Sequence, residues 1–214
     1  MVQYDDFAKT FSSSRQWMHW EEIEYILKKL NIQKGQRILD VGCGNGRLLE
    51  HMDEKDIEYI WADSSENMLE EAKKLHPSKI FFLLDMKKLD KMILQDFDVI
   101  FFIASFHHLE DTPSRKDVLK KAFHLLKSGW KIAMTNWNLL SETNKQKYAE
   151  NAIVGSQNSF WGMDFQIKIG EHKRFYHSFI THELESLMIE AGFTLDENEV
   201  FSTQNNIVTL GTKK

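Results

Sequence analysis

ILDVGCGNGRLL, from Ile38 to Leu49, decides how this chain is read. An apolar run ends in an acid, glycines follow at every second position (Gly42, Gly44, Gly46), and an apolar, helix-like segment begins. A glycine-rich turn between strand and helix lets a ligand approach the backbone, and the helix start behind it offers free N–H groups. Working outward, further short apolar runs lie at 57–62, 79–84, 97–103 and 131–137, after the first at 36–41. Helical candidates separate them: Gly46 to Met52, Ser65 to Leu75 and Arg115 to Leu126. Strands apolar on both faces, alternating with amphipathic helices, predict a doubly wound α/β sheet covered on two sides.

The flanks complete the outline. Residues 5–30 read as two helices, the second (Trp20 to Leu30) amphipathic. The segment from Asn138 to Ser178 shows no clear period. A helix follows from Thr181 to Ala191, with Thr181 placed to cap it, Glu183 and Glu185 near its positive end, and Gly192 closing it. Two final strands, Thr194 to Phe201 and Asn206 to Thr212, turn at Gln204-Asn205. The expectation is one domain over 1–214, with a helical N-terminal lid at 1–35 and an acceptor-side insertion at 138–178.

With 42% hydrophobic and 28% charged residues and two prolines in 214, the composition is globular. No run approaches the roughly 18 apolar residues of a membrane span. The N-terminal MVQYDDFAKTF is acidic and aromatic where a signal peptide carries a basic segment and an apolar core, so a cytoplasmic location is expected. Cys43 is the only cysteine, which excludes an intrachain disulfide and a CxxC motif. A net charge of -5 argues against a broad electrostatic grip on nucleic acid, although a local basic patch is compatible with it.

The turn fits NAD poorly, because Arg47 stands where the third glycine of G-x-G-x-x-G is needed for close helix packing. Asp40 repels a pyrophosphate and attracts a ligand that carries positive charge. S-adenosylmethionine carries an ammonium and a sulfonium. The second run ends in Ala62-Asp63-Ser64, and Asp63 suits the hydroxyls of a ribose. The third ends in Leu84-Asp85-Met86, an acid for an adenine amino group beside a thioether for its ring. Singly, each acid is also explained as a cap of a helix or turn; three in register beside a glycine turn favour a ligand.

The ordered motifs ILDVGCGNG, ADSS, LLDMKKL, FDVIFFIASFHHL and LKSGWKIAMTNW resemble the class I S-adenosylmethionine-dependent methyltransferases over residues 36–137. That family's Rossmann-like seven-stranded sheet ends in an antiparallel hairpin, which accounts for the C-terminal strand pair. The resemblance implies that Asp40, Gly42, Cys43, Gly44 and Gly46 line the methionine end of the cofactor. It places the ribose at Asp63 and Ser64, Met68 beside them, the adenine at Asp85 and Met86, and the sulfonium near Ala104 to Phe106.

Three further stretches, YDDFAKTFSSSR, FHHLEDTPSRKDVLKKAFHLLKSG and RFYHSFITHELESLMIEAGF, resemble the tRNA wobble-uridine carboxymethyl methyltransferases. Their signature usually reads R-Y-Y-H; here it is Arg174, Phe175, Tyr176 and His177. The resemblance implies a tRNA acceptor and a small zinc-binding activator subunit as in the eukaryotic members; no membrane partner is expected, since no long apolar run is present. The alternative is a small-molecule O- or N-methyltransferase.

A carboxylate acceptor is already ionised, so it needs no general base; it needs cations to position it. Arg15, Arg115 and Arg174 are the candidates, since guanidinium binds carboxylate in a two-pronged fashion. For Arg115 the reading as a first-turn helix residue in a surface ion pair is favoured over a role in the site. His107 is expected to shape the acceptor pocket and His108 to pack under the loop; Tyr176, from the stretch that resembles R-Y-Y-H, is a further candidate catalytic residue. Neighbouring histidines rarely chelate one ion together, and no metal is expected. Tyr4, Phe11, Trp17 and Trp20 either cover the cofactor, stack a base, or dock the N-terminal helices. Tyr148, Phe160, Trp161, Asp164 and Lys168 fall where this fold sets acceptor specificity.

Overall fold

The computed structural model describes residues 20–52, 56–155, 161–169 and 172–214. Strands β1 (Arg37–Val41), β2 (Glu58–Asp63), β3 (Ile80–Leu83), β4 (Phe97–Ile103), β5 (Leu126–Trp137), β8 (Phe193–Val200) and β9 (Asn206–Lys213) form one sheet in the order β3-β2-β1-β4-β5-β9-β8. Neighbours from β3 through β5 are parallel, while β5, β9 and β8 pair antiparallel. The strand order reverses between β1 and β4, the switch point at which ligands bind in open α/β sheets.

Alternation along the strands sends residues to both faces. Leu39, Ile60, Ile100, Phe102, Ile132 and Met134 pack under α3 (Thr112–Leu125) and α5 (Thr181–Glu190), against Val118, Leu119, Leu184 and Leu187. Ile38, Trp61, Val99 and Phe101 pack on the opposite face against Ile23 and Ile26 of α1 (Glu21–Leu30) and Ala72 of α2 (Glu66–Leu75). Helix α1, expected within a lid, is thus a core layer. The first helix expected before it, with Tyr4, Phe11, Arg15 and Trp17, lies outside the described residues.

Several expectations are corrected. After Gly46 there is one 3-10 turn, Arg47–His51, in place of an α-helix. Strand β5 begins at Leu126, five residues before the apolar run, because Leu126 pairs with Phe97 and is buried. Its polar beginning is anchored by Lys127, which lies 2.7 Å from the buried Asp98. Thr181 does not cap α5: the capping position is Ile180, which supplies no side-chain bond.

The segment read as having no period contains α4 (Glu142–Tyr148) and an antiparallel hairpin, β6 (Met163–Ile169) with β7 (His172–Ser178). Phe165 and Ile167 alternate with exposed Gln166 and Lys168. The period breaks in β7 because buried polar groups, Arg174, His177 and Ser178, occupy positions where apolar residues mark a strand.

Candidate active site

The turn after β1 is left-handed at Gly42 (φ 73°), Gly44 (φ 57°) and Gly46 (φ 83°), which disfavours any side chain. A Cβ at Gly42 would lie 2.4 Å from the Ser105 Cβ, and one at Gly46 2.9 Å from the Trp61 ring. At Gly44 it would meet only the Met68 methyl, at 3.3 Å. The first and third glycines therefore serve backbone packing against β4 and β2, and the middle one keeps the mouth of the turn open.

Two buried carboxylates face this turn. Asp63 accepts from the Gly44 N–H at 2.8 Å and the Ser65 N–H at 2.9 Å, tying the end of β2 to the glycine loop. Asp40 accepts from the Tyr59 hydroxyl at 3.1 Å. Burial pushes Asp40 up to about 7, against the Tyr59 hydrogen bond and reinforced by the charge of Asp63. Burial also raises Asp63, against hydrogen bonds from Ser65 and Gly44 and the charge of Arg174. The Cys43 thiol is pushed up by burial and by both acids. Such a pair, poorly solvated and mutually repelling, favours a cation between or beside them.

These groups line a cleft of about 790 Å3, with Ser64, Met68, Asp85, Met86 and Ala104. Ser65 caps α2 through the Met68 N–H, and Asp85 caps the next turn through the Lys87 N–H at 2.9 Å. Asp85 therefore both caps and lines. Ala104, at the end of β4, is left-handed (φ 50°), and its N–H reaches both the carbonyl and the hydroxyl oxygen of Thr135 at 3.0 Å. A non-glycine residue held there costs about 1–3 kcal/mol, a strain typical of functional turns.

A second cleft of about 530 Å3 shares Trp20, Arg47, Ala104, His108 and Arg174 with the first. Its wall is the Tyr176 ring stacked on Trp137, centroids 5.0 Å apart and planes at 14°. His107 lies in this wall, its Nδ1 accepting from the Trp137 N–H at 3.2 Å. His108 does more than pack under the loop: it reaches both clefts. Its Nδ1 meets the Phe175 carbonyl at 2.9 Å, so Nδ1 carries the proton and Nε2 accepts from Arg174 Nη2 at 2.8 Å. His108 and Trp137 were missed as site residues because packing through a partner carries no spacing signal.

With this geometry in view, similarity to known proteins is decisive: the methyltransferase-domain family model matches residues 12–198. The chain belongs to this family. It is an S-adenosylmethionine-dependent methyltransferase domain. Its relatives include a Xenopus tropicalis tRNA (carboxymethyluridine(34)-5-O)-methyltransferase, 33% identical over 153 residues, covering 70% of this chain and 23% of that protein. A Saccharomyces cerevisiae enzyme of the same name is 29% identical over 147 residues, covering 69% of this chain and 50% of its own. The methyltransferase domain thus spans a quarter to a half of the length of these relatives. Among solved structures, a Haloferax volcanii putative methyltransferase in complex with the Trm112 methyltransferase activator superposes with a TM-score of 0.71 at 16% identity, covering 99% and 98% of the two chains.

The methyltransferase does not bring every expected residue to its clefts. The Phe106 side chain lies in the core, its ring stacked on Phe179 at 5.6 Å, because Ser105 turns the chain inward with its hydroxyl on the Val41 carbonyl. Arg115 forms neither a surface ion pair nor part of either cleft lining. It is 3% exposed, donates to the Leu109 carbonyl and pairs with Glu183, itself 0% exposed, at 3.4 Å. His177 Nε2 lies 2.9 Å from the same Glu183, and its Nδ1 contacts Asp164. Period-2 alternation on β7 thus separates roles: Arg174 and Tyr176 reach the cleft, while His177 anchors the hairpin to α5.

Proposed function

We propose that this domain methylates the carboxylate of a carboxymethyl group on a tRNA wobble uridine. The observation that carries the reading is Arg174, whose guanidinium is buried at the junction of the two clefts and oriented by His108. A planar cation at that point suits a carboxylate held beside the methyl donor. The names of the frog and yeast relatives support the same acceptor.

The first cleft suits the cofactor. Its turn leaves backbone room at Gly44, and its acids, Asp40 and Asp63, gain from a cationic ligand. Asp40, Gly42, Cys43 and Gly44 would hold the methionine end, with Gly46 packed on Trp61 behind them, Asp63 and Ser64 the ribose, Met68, Asp85 and Met86 the adenine side, and Ala104 the junction. When bound, the cofactor supplies an electrophilic methyl group. A carboxylate oxygen would accept that methyl as an ester while S-adenosylhomocysteine departs, and, being already ionised, would leave the residues no proton to move. The residues' task is therefore positioning and exclusion of water. Arg174 orients the carboxylate, the Tyr176–Trp137 wall and His107 support the ring that bears it, and Trp20 closes toward both clefts.

An activator subunit belongs to this reading. Strand β3 is one of the two edge strands of the sheet and exposes Ile80 and Leu83, an edge that a partner would cover. The Haloferax volcanii neighbour is a complex with such an activator. The net charge of -5 favours a second reading, a small-molecule O- or N-methyltransferase, because it leaves tRNA without a broad basic surface. Among the described residues no helix is long and apolar enough to cross a membrane. Mass spectrometry of tRNA nucleosides from a deletion strain separates the readings: loss of the methyl ester with accumulation of the free acid supports the tRNA acceptor, and an unchanged profile defeats it.

A further inference from the structure

We propose that Glu22 and Asn206 form a specificity pair that reads a ring N–H on the methyl acceptor. Both line the second cleft with Arg174 and the Trp137–Tyr176 wall. The carboxylate of Glu22 projects from the first turn of α1, where the helix N-terminus favours negative charge. It is 8% exposed, and among the described residues its hydrogen-bond partner is one neutral group, the Asn206 side-chain Nδ2. A carboxylate cannot donate, so the Asn206 amide must turn Nδ2 toward it. That leaves the Asn206 Oδ1 buried and without a partner. The pair therefore offers two acceptors, Oδ1 of Asn206 and the second oxygen of Glu22, beside the remaining Nδ2 hydrogen of Asn206.

A buried charge with one neutral partner, beside an unsatisfied amide oxygen, is costly until a donor arrives. The complementary ligand carries N–H there, and a second carboxylate is rejected. The stacked aromatic wall selects a planar ring, and Arg174 separately selects an anion. The acceptor is thus a planar ring bearing both an anionic arm and an N–H edge. This inference rests on the tRNA reading, under which the N–H is N3–H of uracil, shared between the two acceptor oxygens. Cytosine, whose N3 is an acceptor, would leave the Asn206 Oδ1 unsatisfied and is disfavoured by the same pair.

The test uses anticodon stem-loop RNA carrying 5-carboxymethyluridine, and the same RNA methylated at N3, with labelled cofactor. The wild-type protein should prefer the N3–H substrate by about 10- to 100-fold in kcat/KM, since a site built to hydrogen-bond a donor rejects the analogue that lacks it. Glu22→Gln and Asn206→Leu should each bring that ratio near one, mainly by raising KM for the N3–H substrate. Should Glu22→Gln lose cofactor binding through misfolding, Asn206→Leu decides. Equal use of both RNAs by the wild type, or undiminished discrimination by a folded variant, overturns the pair's role while the tRNA reading stands. Transfer to neither RNA overturns the tRNA reading and this inference together.

Discussion

Arg174 donates to Nε2 of His108 at 2.8 Å, and His108 is fixed in turn by the Phe175 carbonyl at 2.9 Å, one residue along the strand from Arg174 itself. The histidine thus braces the guanidinium against its own strand, leaving the cation pre-positioned where the two clefts meet.

Arg174→Ala is expected to lower turnover on the true acceptor by tens to thousands of fold, about 2–4 kcal/mol, with a much smaller change in cofactor affinity. Arg174→Lys should recover part of the loss, since a point charge replaces a planar fork. His108→Ala should cost less, and adding it to Arg174→Ala should cost nothing further, because its contribution runs through the arginine. Steady-state kinetics of the four proteins check this; additive losses would mean that the two residues act independently.

The raised pKa of Asp40 predicts a pH dependence. A carboxyl at about 7 when folded and near 3.8 when unfolded makes the folded state bind the extra proton between those values. Its contribution to stability is therefore present at low pH and lost as pH rises through 7. Cofactor binding has the opposite slope, tightening as Asp40 ionises against the cation. Asp40→Asn should flatten both trends, read by thermal melts and calorimetric titrations at pH 5, 6, 7 and 8.

Asp63→Ala is expected to weaken cofactor binding by about 1–3 kcal/mol, as hydroxyls lose a charged acceptor. It should also loosen the turn, since the Gly44 and Ser65 N–H groups lose their partner. Asp63→Asn, which keeps one acceptor oxygen, should restore part of the melting temperature and less of the affinity. Unchanged calorimetric affinity in Asp63→Ala would remove the residue from the site.

The glycines separate into two kinds. Gly42→Ala places a Cβ against Ser105 and should destabilise the fold by about 1–3 kcal/mol. Gly44→Ala meets only a flexible Met68 methyl, so it should lose less stability, and Gly44→Val should abolish cofactor binding in a protein that still folds. Denaturant unfolding beside cofactor titration distinguishes them; retained affinity in Gly44→Val would place the ligand elsewhere.

Removing one member of the buried Arg115–Glu183 pair is expected to destabilise the protein by about 3–5 kcal/mol, because the partner charge is left buried. Glu183→Ala also frees His177 and the Gly162 N–H. Urea unfolding should show Arg115→Met with Glu183→Leu less destabilised than either single variant.

The order of strands and helices, the glycine turn, and Asp40, Asp63 and Asp85 at three strand ends were legible from the sequence, because each leaves a local signature of period, backbone demand or end position. Hairpin β6–β7 left half of one: Phe165-Gln166-Ile167-Lys168 alternates, but β7 hides polar groups where apolar ones mark a strand. Only the tertiary structure decided that Arg174 reaches the clefts while Arg115, an equal candidate on charge, is held in the interior by Glu183. It alone drew Phe106 into the core, set His108 behind the guanidinium and put Glu22 of the first described helix beside Asn206 of the last strand. The physical reason is that the direction of a strand or turn follows from a few neighbouring residues. Whether a charge meets a ligand or a buried counter-ion depends on side chains that lie as much as 184 residues away along the chain.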